Sequence, residues 1–180
     1  MNEYINLYKN IVGRNKNKYI KVVVSDQRIN QIKELVQKVI DIKINECHHK
    51  IDHNKEFERF YTGFLGEAAI EVILNTNKII DWSCGNSYTY NIPDLNKLGL
   101  NIGIKTSEIY KFPVISKKNT YPQIINIRYG YNTIFVCGIA DVQVLNTYQN
   151  DSLILSPYLR QRNTKTGFWG FDFLKQFSIY

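Results

Sequence analysis

Residues 63–74 read GFLGEAAIEVIL, residues 93–94 are Pro-Asp, and residues 102–107 read IGIKTS. The first of these lies within residues 55–74, where Phe57, Phe60, Tyr61, Phe64, Leu65, Ala68, Val72 and Ile73 recur at helical spacing and predict a helix with a wide apolar stripe. Gly63 and Gly66 sit inside it, although glycine weakens a helix interior by roughly 1 kcal/mol relative to alanine. Two glycines on one turn imply close packing, so both are expected to face a sheet. Residues 98–104 alternate between turn residues and read as a strand, with Lys105 at its end. On that strand Asn101, Gly103, Lys105 and Ser107 share one face, and Glu108 points to the other.

Outward from this centre, residues 19–24 (YIKVVV) are β-branched and read as a short strand. Ser25 and Asp26 follow as helix N-cap types. Ile29, Ile32, Leu35, Val36, Val39 and Ile40 then mark a second amphipathic helix. Downstream, residues 124–128 (IINIR), 133–139 (TIFVCGI) and 142–145 read as strands. A helix or turn covers residues 153–162, limited by Pro157. The aromatic tail GFWGFDFLKQFSIY is expected to pack on the core. Helices first and strands after predict an α+β or mixed α/β fold. At 180 residues one domain, residues 1–180, is the default, since domains run roughly 100–200 residues.

The chain carries 23 Lys+Arg against 16 Asp+Glu, a formal net charge of +7. A basic balance favours polyanionic partners but says nothing about fold. An AT-rich coding bias would also enrich lysine, so the charge is weak support for DNA binding. Cys47, Cys84 and Cys137 are odd in number and widely spaced, which argues against a disulfide framework. The opening residues lack the apolar core of a signal peptide, and no apolar run approaches the roughly 20 residues that span a bilayer. A soluble, cytoplasmic protein is expected.

The order GFLGE, then Pro93-Asp94, then Gly103-Ile104-Lys105 resembles the PD-(D/E)xK nuclease superfamily. In that family a PD pair precedes an acid-x-Lys strand by about ten residues, often after a helix with a GxxGE-type motif. TIFVCGIADV is similar to a later core strand of many members, and the resemblance spans residues 55–145. It implies a restriction-endonuclease-like core, with a central mixed sheet flanked by helices. It also implies a DNA endonuclease of phage or restriction type that uses Mg²⁺, with Mn²⁺ as substitute. Asp94, Glu67 and the Ile104 carbonyl would then be the metal ligands, and Asp94, Lys105 and Glu67 the catalytic set. Such chemistry needs oxygen ligands, a metal-activated water and a lysine near the scissile phosphate. Double-strand cutting by a one-site domain needs two sites, which would favour a homodimer.

One departure stands out: Gly103 occupies the family's second acidic position. Three explanations stay open. The second carboxylate comes from the helix, from Glu67 or Glu71; or the site uses one carboxylate with backbone carbonyls such as that of Ile104; or the site is silent and the chain is a DNA-binding or protein-interaction module. A Glu placed at position 103 is expected to be tolerated, because a strand position facing a cleft has room.

Each candidate also has a plainer reading. Glu67 would pair with a surface lysine, although its place on the apolar stripe points to burial. Glu71 reads as a solvated residue. Asp94 would cap a turn after Pro93, and Lys105 would be a strand-edge lysine. Cys47, His48, His49 and His53 match no closed zinc site and read as a polar helix end; Cys137 reads as core. Lys117, Lys118, Arg128, Arg160, Arg162 and Lys165, with Tyr121, Tyr129, Tyr131 and Trp169 among them, suit phosphate contact and base stacking or an ordinary basic surface. Beside the endonuclease and the silent module stands a further alternative, a small α/β protein in which the PD and IK pairs are accidental.

Overall fold

The computed structural model describes residues 2–45, 53–83 and 92–177. In chain order these form α1 (Asn2–Ile11), β1 (Ile20–Val23), α2 (Asp26–Asn45), α3 (His53–Leu74), β2 (Gly103–Glu108), β3 (Val114–Ser116), β4 (Gln123–Tyr129), β5 (Thr133–Ala140), α4 (Val142–Thr147), β6 (Gln149–Asn150), α5 (Pro157–Gln161) and β7 (Lys165–Phe168). The fold is mixed α/β. Its main sheet runs in the order β1-β5-β4-β2. The β1–β5 and β5–β4 pairs are antiparallel and β4–β2 is parallel, so the sheet is mixed. A small antiparallel sheet has the order β3-β7-β6.

The main sheet separates two apolar cores. Ile124 on β4 joins the core that α2 and α3 build with Ile32, Val36, Leu65 and Ile70. Ile125 and Ile127, pointing the other way, join Tyr8, Phe112, Ile115, Leu145 and Phe168. The sheet is therefore flanked by α2 and α3 on one face, and by α1, α4 and the small sheet on the other. Burial on both faces explains why IINIR shows no clean alternation. The cap read at Ser25 is present: its Oγ accepts from the Arg28 N–H at 3.3 Å. Among the described residues no helix is long and apolar enough to cross a membrane.

Four local expectations change. The strand read at residues 98–104 begins at Gly103, and Asn96–Leu98 is a 3₁₀ turn. Lys105 is therefore inside β2 and not at its end. Residues 142–145 are helical, because the Asp141 side chain accepts from the Val144 N–H at 2.9 Å and caps α4. On α3, Val72 is 55% exposed while Ala69 and Ile70 are buried, so the buried stripe is rotated from the one expected. Of the two helix glycines, Gly66 alone makes the close approach. A β-carbon there would meet Thr106 Oγ1 at 1.8 Å, whereas one at Gly63 would meet open space. Cys137 is buried and free; Cys47, His48, His49 and Cys84 lie outside the described residues.

Candidate functional site

Among the described residues β2 is an edge strand, and the edge away from β4 organises the candidate site. Gly103 donates its N–H inward to Pro122 O at 3.0 Å. The next N–H, that of Ile104, is taken by Asp94 Oδ2, while the Leu95 N–H bonds to Ile102 O at 3.0 Å. Those two contacts close the loop between the PD pair and β2, and they give the ten-residue spacing its physical meaning. Asp94 thus lies in a turn docked on the edge of β2, not on a strand adjacent to that of Lys105. The backbone bond carries the capping part of the plain reading.

Position along β2 then separates the two neighbours of Asp94. Thr106 faces Gly66 of α3, so Gly103, Lys105 and Ser107 face the small sheet. Asp94 Oδ2 is 3.5 Å from where a Gly103 β-carbon would lie, which places the carboxylate toward the Lys105 face. Burial raises the Asp94 pKa, and the Ile104 N–H and the Lys105 charge partly offset this. Lys105 is half-buried, and among the described residues no side chain pairs with it.

Glu67 approaches from α3. Burial first and the Asp94 charge second push its carboxyl well above the usual range, and the Glu71 and Asp81 charges push the same way. Among the described residues no hydrogen bond or ion pair reaches Glu67, so the surface-lysine pairing is absent. Asp94 is thus the middle member: it interacts electrostatically with Glu67 on the helix side and with Lys105 on the other.

Glu71, one turn further along α3, is a correction. It is 3% exposed, not solvated. Its Oε1 accepts from the Ile79 and Ile80 N–H groups at 2.9 and 3.0 Å, and its Oε2 is paired with Arg28. Those bonds occupy both oxygens, which removes Glu71 as the alternative migrated ligand. No sequence period marks this role, because the partners come from α2 and from the turn after α3.

The glycine departure also has a local cause. A β-carbon at Gly103 would lie 2.8 Å from Tyr121 Cε2. The Tyr121 ring fills the space into which an acidic side chain would extend, contrary to the expectation of room there. Burial and the Asp94 charge raise the Tyr121 pKa. Among the described residues no group of three or more His, Cys, Asp or Glu side chains is arranged to hold a metal ion. Any cation at this edge would therefore rest on two carboxylates and backbone oxygen. Comparisons with protein-family models, with curated proteins and with solved structures find no match for this chain.

Proposed function

We propose that this protein is a metal-dependent DNA endonuclease with a restriction-endonuclease-like core, its site at the open edge of β2. The observation that carries the reading is the Asp94 turn docked on β2 through the Ile104 N–H, with the charges of Glu67 and Lys105 coupled to it and, among the described residues, neither of those two side chains paired. Two neighbouring carboxylates, one of which raises the pKa of the other, form a donor set suited to a divalent ion. Asp94 and Glu67 would hold Mg²⁺ or Mn²⁺ with the Ile104 carbonyl, which shares the open edge with its own N–H. When bound, that ion would activate water and offset charge on a scissile phosphate. Lys105 supplies a charge-assisted donor to a phosphate oxygen. The bond from the Ile104 N–H fixes one Asp94 oxygen.

The test is plasmid cleavage with Mg²⁺, Mn²⁺ or Ca²⁺. Cleavage is expected with the first two and not with Ca²⁺. Lys105→Ala is expected to slow cutting by about 10²–10³-fold. Asp94→Asn is the cleaner companion to Asp94→Ala: it keeps an acceptor for the Ile104 N–H, so loss of cutting then reports chemistry and not a loosened edge. Glu67→Gln is expected to weaken Mn²⁺ binding nearly as much as Asp94→Asn. Unchanged cleavage in Asp94→Asn would remove the mechanism.

A second reading has its own support: Tyr121 covers Gly103, and among the described residues no group of three or more His, Cys, Asp or Glu side chains is arranged to hold a metal ion. It is a catalytically silent module that binds DNA or another protein. Salt-dependent DNA retention without cleavage under any metal would favour it.

A further inference from the structure

The basic residues of the second half of the chain differ in what neutralises them. Arg128 pairs with Glu58 at 2.7 Å and donates to Thr62 Oγ1 at 2.8 Å. Lys117 pairs with Asp151 at 2.6 Å. Arg160 donates to the Ile154 carbonyl, and Arg162 lies over the Tyr158 ring, 5.4 Å from its centroid. Lys165 has no carboxylate partner among the described residues; its Nζ donates to Ser116 Oγ at 3.0 Å.

Its position explains why that matters. Lys165 opens β7 opposite Ser116 on β3, and Thr166, Gly167 and Phe168 after it are buried. The small sheet lies against the face of β2 that carries Lys105. Burial, then the Lys105 charge, then the Arg162 charge hold the Lys165 pKa below its ordinary value. Lys165 is thus half-buried with a neutral hydroxyl as its hydrogen-bond partner among the described residues, while Lys105, facing the same small sheet, has the Asp94 charge nearby. A half-buried ammonium without a carboxylate partner is stabilised when an anion joins it.

We propose that Lys165 seats a phosphate group of a nucleic-acid backbone next to the one at Lys105, extending the Asp94–Lys105 site from β2 onto β7. This rests on reading that site as a nuclease centre. Lys105 would serve the reacting phosphate and Lys165 a neighbouring one, so that the strand lies along the junction of the two sheets. Ser116 holds the Lys165 ammonium in place.

The seat is tested by binding, apart from cleavage. A fluorescein-labelled DNA dodecamer is titrated in EDTA over a NaCl series, with the wild type, Lys165→Gln, Lys165→Met and Lys165→Arg. Lys165→Gln and Lys165→Met are expected to weaken binding about tenfold at low salt and to reduce the slope of log K against log salt by about 1. Lys165→Arg should stay near the wild type. Both neutral variants are expected to melt at or above the wild-type temperature, since each removes a repelled charge; a merely structural lysine would lower it. Wild-type affinity and slope in the neutral variants would overturn the seat, as would a wild type that does not bind DNA. Binding of inorganic phosphate that depends on Lys165, without DNA binding, would overturn its assignment to nucleic acid. Lys165-dependent DNA binding without metal-dependent cleavage would keep the seat and sink the nuclease reading. Cleavage with no Lys165 effect on binding would do the reverse.

Discussion

At Gly103 a β-carbon would sit 2.8 Å from the Tyr121 ring, and the nearest atom belongs to a rigid aromatic side chain. An acid at 103 and the present Tyr121 pose therefore exclude each other. Gly103→Glu is expected to lower stability by about 1–3 kcal/mol, as overpacked sites do, and to add no Mn²⁺ affinity. Gly103→Glu with Tyr121→Ala should recover part of that loss and raise Mn²⁺ affinity, because the new carboxylate then reaches toward Asp94. Urea denaturation and calorimetric Mn²⁺ titration measure both effects; a single Gly103→Glu variant as stable as the wild type would contradict the packing argument. Glu71 behaves oppositely, as a carboxylate committed to structure. Glu71→Ala leaves Arg28 and the Ile79 and Ile80 N–H groups without their partner. The expected loss is about 3–5 kcal/mol, the range for breaking a buried pair, and loss of under about 1 kcal/mol in urea would refute it. From sequence, Glu67 and Glu71 were one turn apart on one helix and could exchange roles. Only the chain folding back at residues 79–80 separates them.

Helix α3 and strand β2 are held together by one missing side chain. Gly66→Ala would push a methyl group into Thr106, whose Cβ is 2.9 Å and Oγ1 1.8 Å from it. This should lower stability by about 2–3 kcal/mol, while Gly63→Ala, which meets open space, should raise it by about 0.5–1 kcal/mol. Thr106→Ala should rescue Gly66→Ala in part, since the Thr106 Cβ remains. Thermal melting of Gly66→Ala, Gly63→Ala and the Gly66→Ala/Thr106→Ala double variant decides the matter, and equal effects at the two glycines would contradict it. The same elements show what the sequence carried. α2, α3, β1, β4 and β5 were legible because long periodic or β-branched runs bury themselves. β2 slipped by several residues because its polar members, Lys105, Thr106 and Ser107, obscure the apolar signal. α4 read as a strand because VQVL alternates; the Asp141 cap overrides the alternation. β3, β6 and β7 are too short to have a period. At the site, the closeness of Asp94 to β2 was legible from the ten-residue spacing, while the roles of Tyr121 and Glu71 were not, because their partners are distant in sequence.

Across the whole molecule, the two cores are joined by the segment after β7. Phe171 and Leu174 pack into the core with α1, while Phe177 packs against the core under α2 and α3. Between them Lys175 exchanges both backbone bonds with Ile139, at 2.8 and 2.9 Å, extending along β5 the line where β1 pairs with residues 133–136. Asp172 ties the segment to the N-terminal region through Arg14 and the Asn15 amide. Gly138 makes this possible: its φ is +142°, and a β-carbon there would lie 2.5 Å from Lys175 O. The nearest atom is backbone, which cannot swing aside, so Gly138→Ala must displace the tail or distort β5. If the tail belongs to one cooperative unit, Gly138→Ala should lower stability by about 2–3 kcal/mol, with an unchanged dependence on urea concentration. Exchange of the Ile139 amide and of amides in both cores should then accelerate together. If the tail is an appendage, the Ile139 amide alone should exchange faster, with the urea midpoint unmoved. We expect the first outcome, because the segment places side chains in both cores.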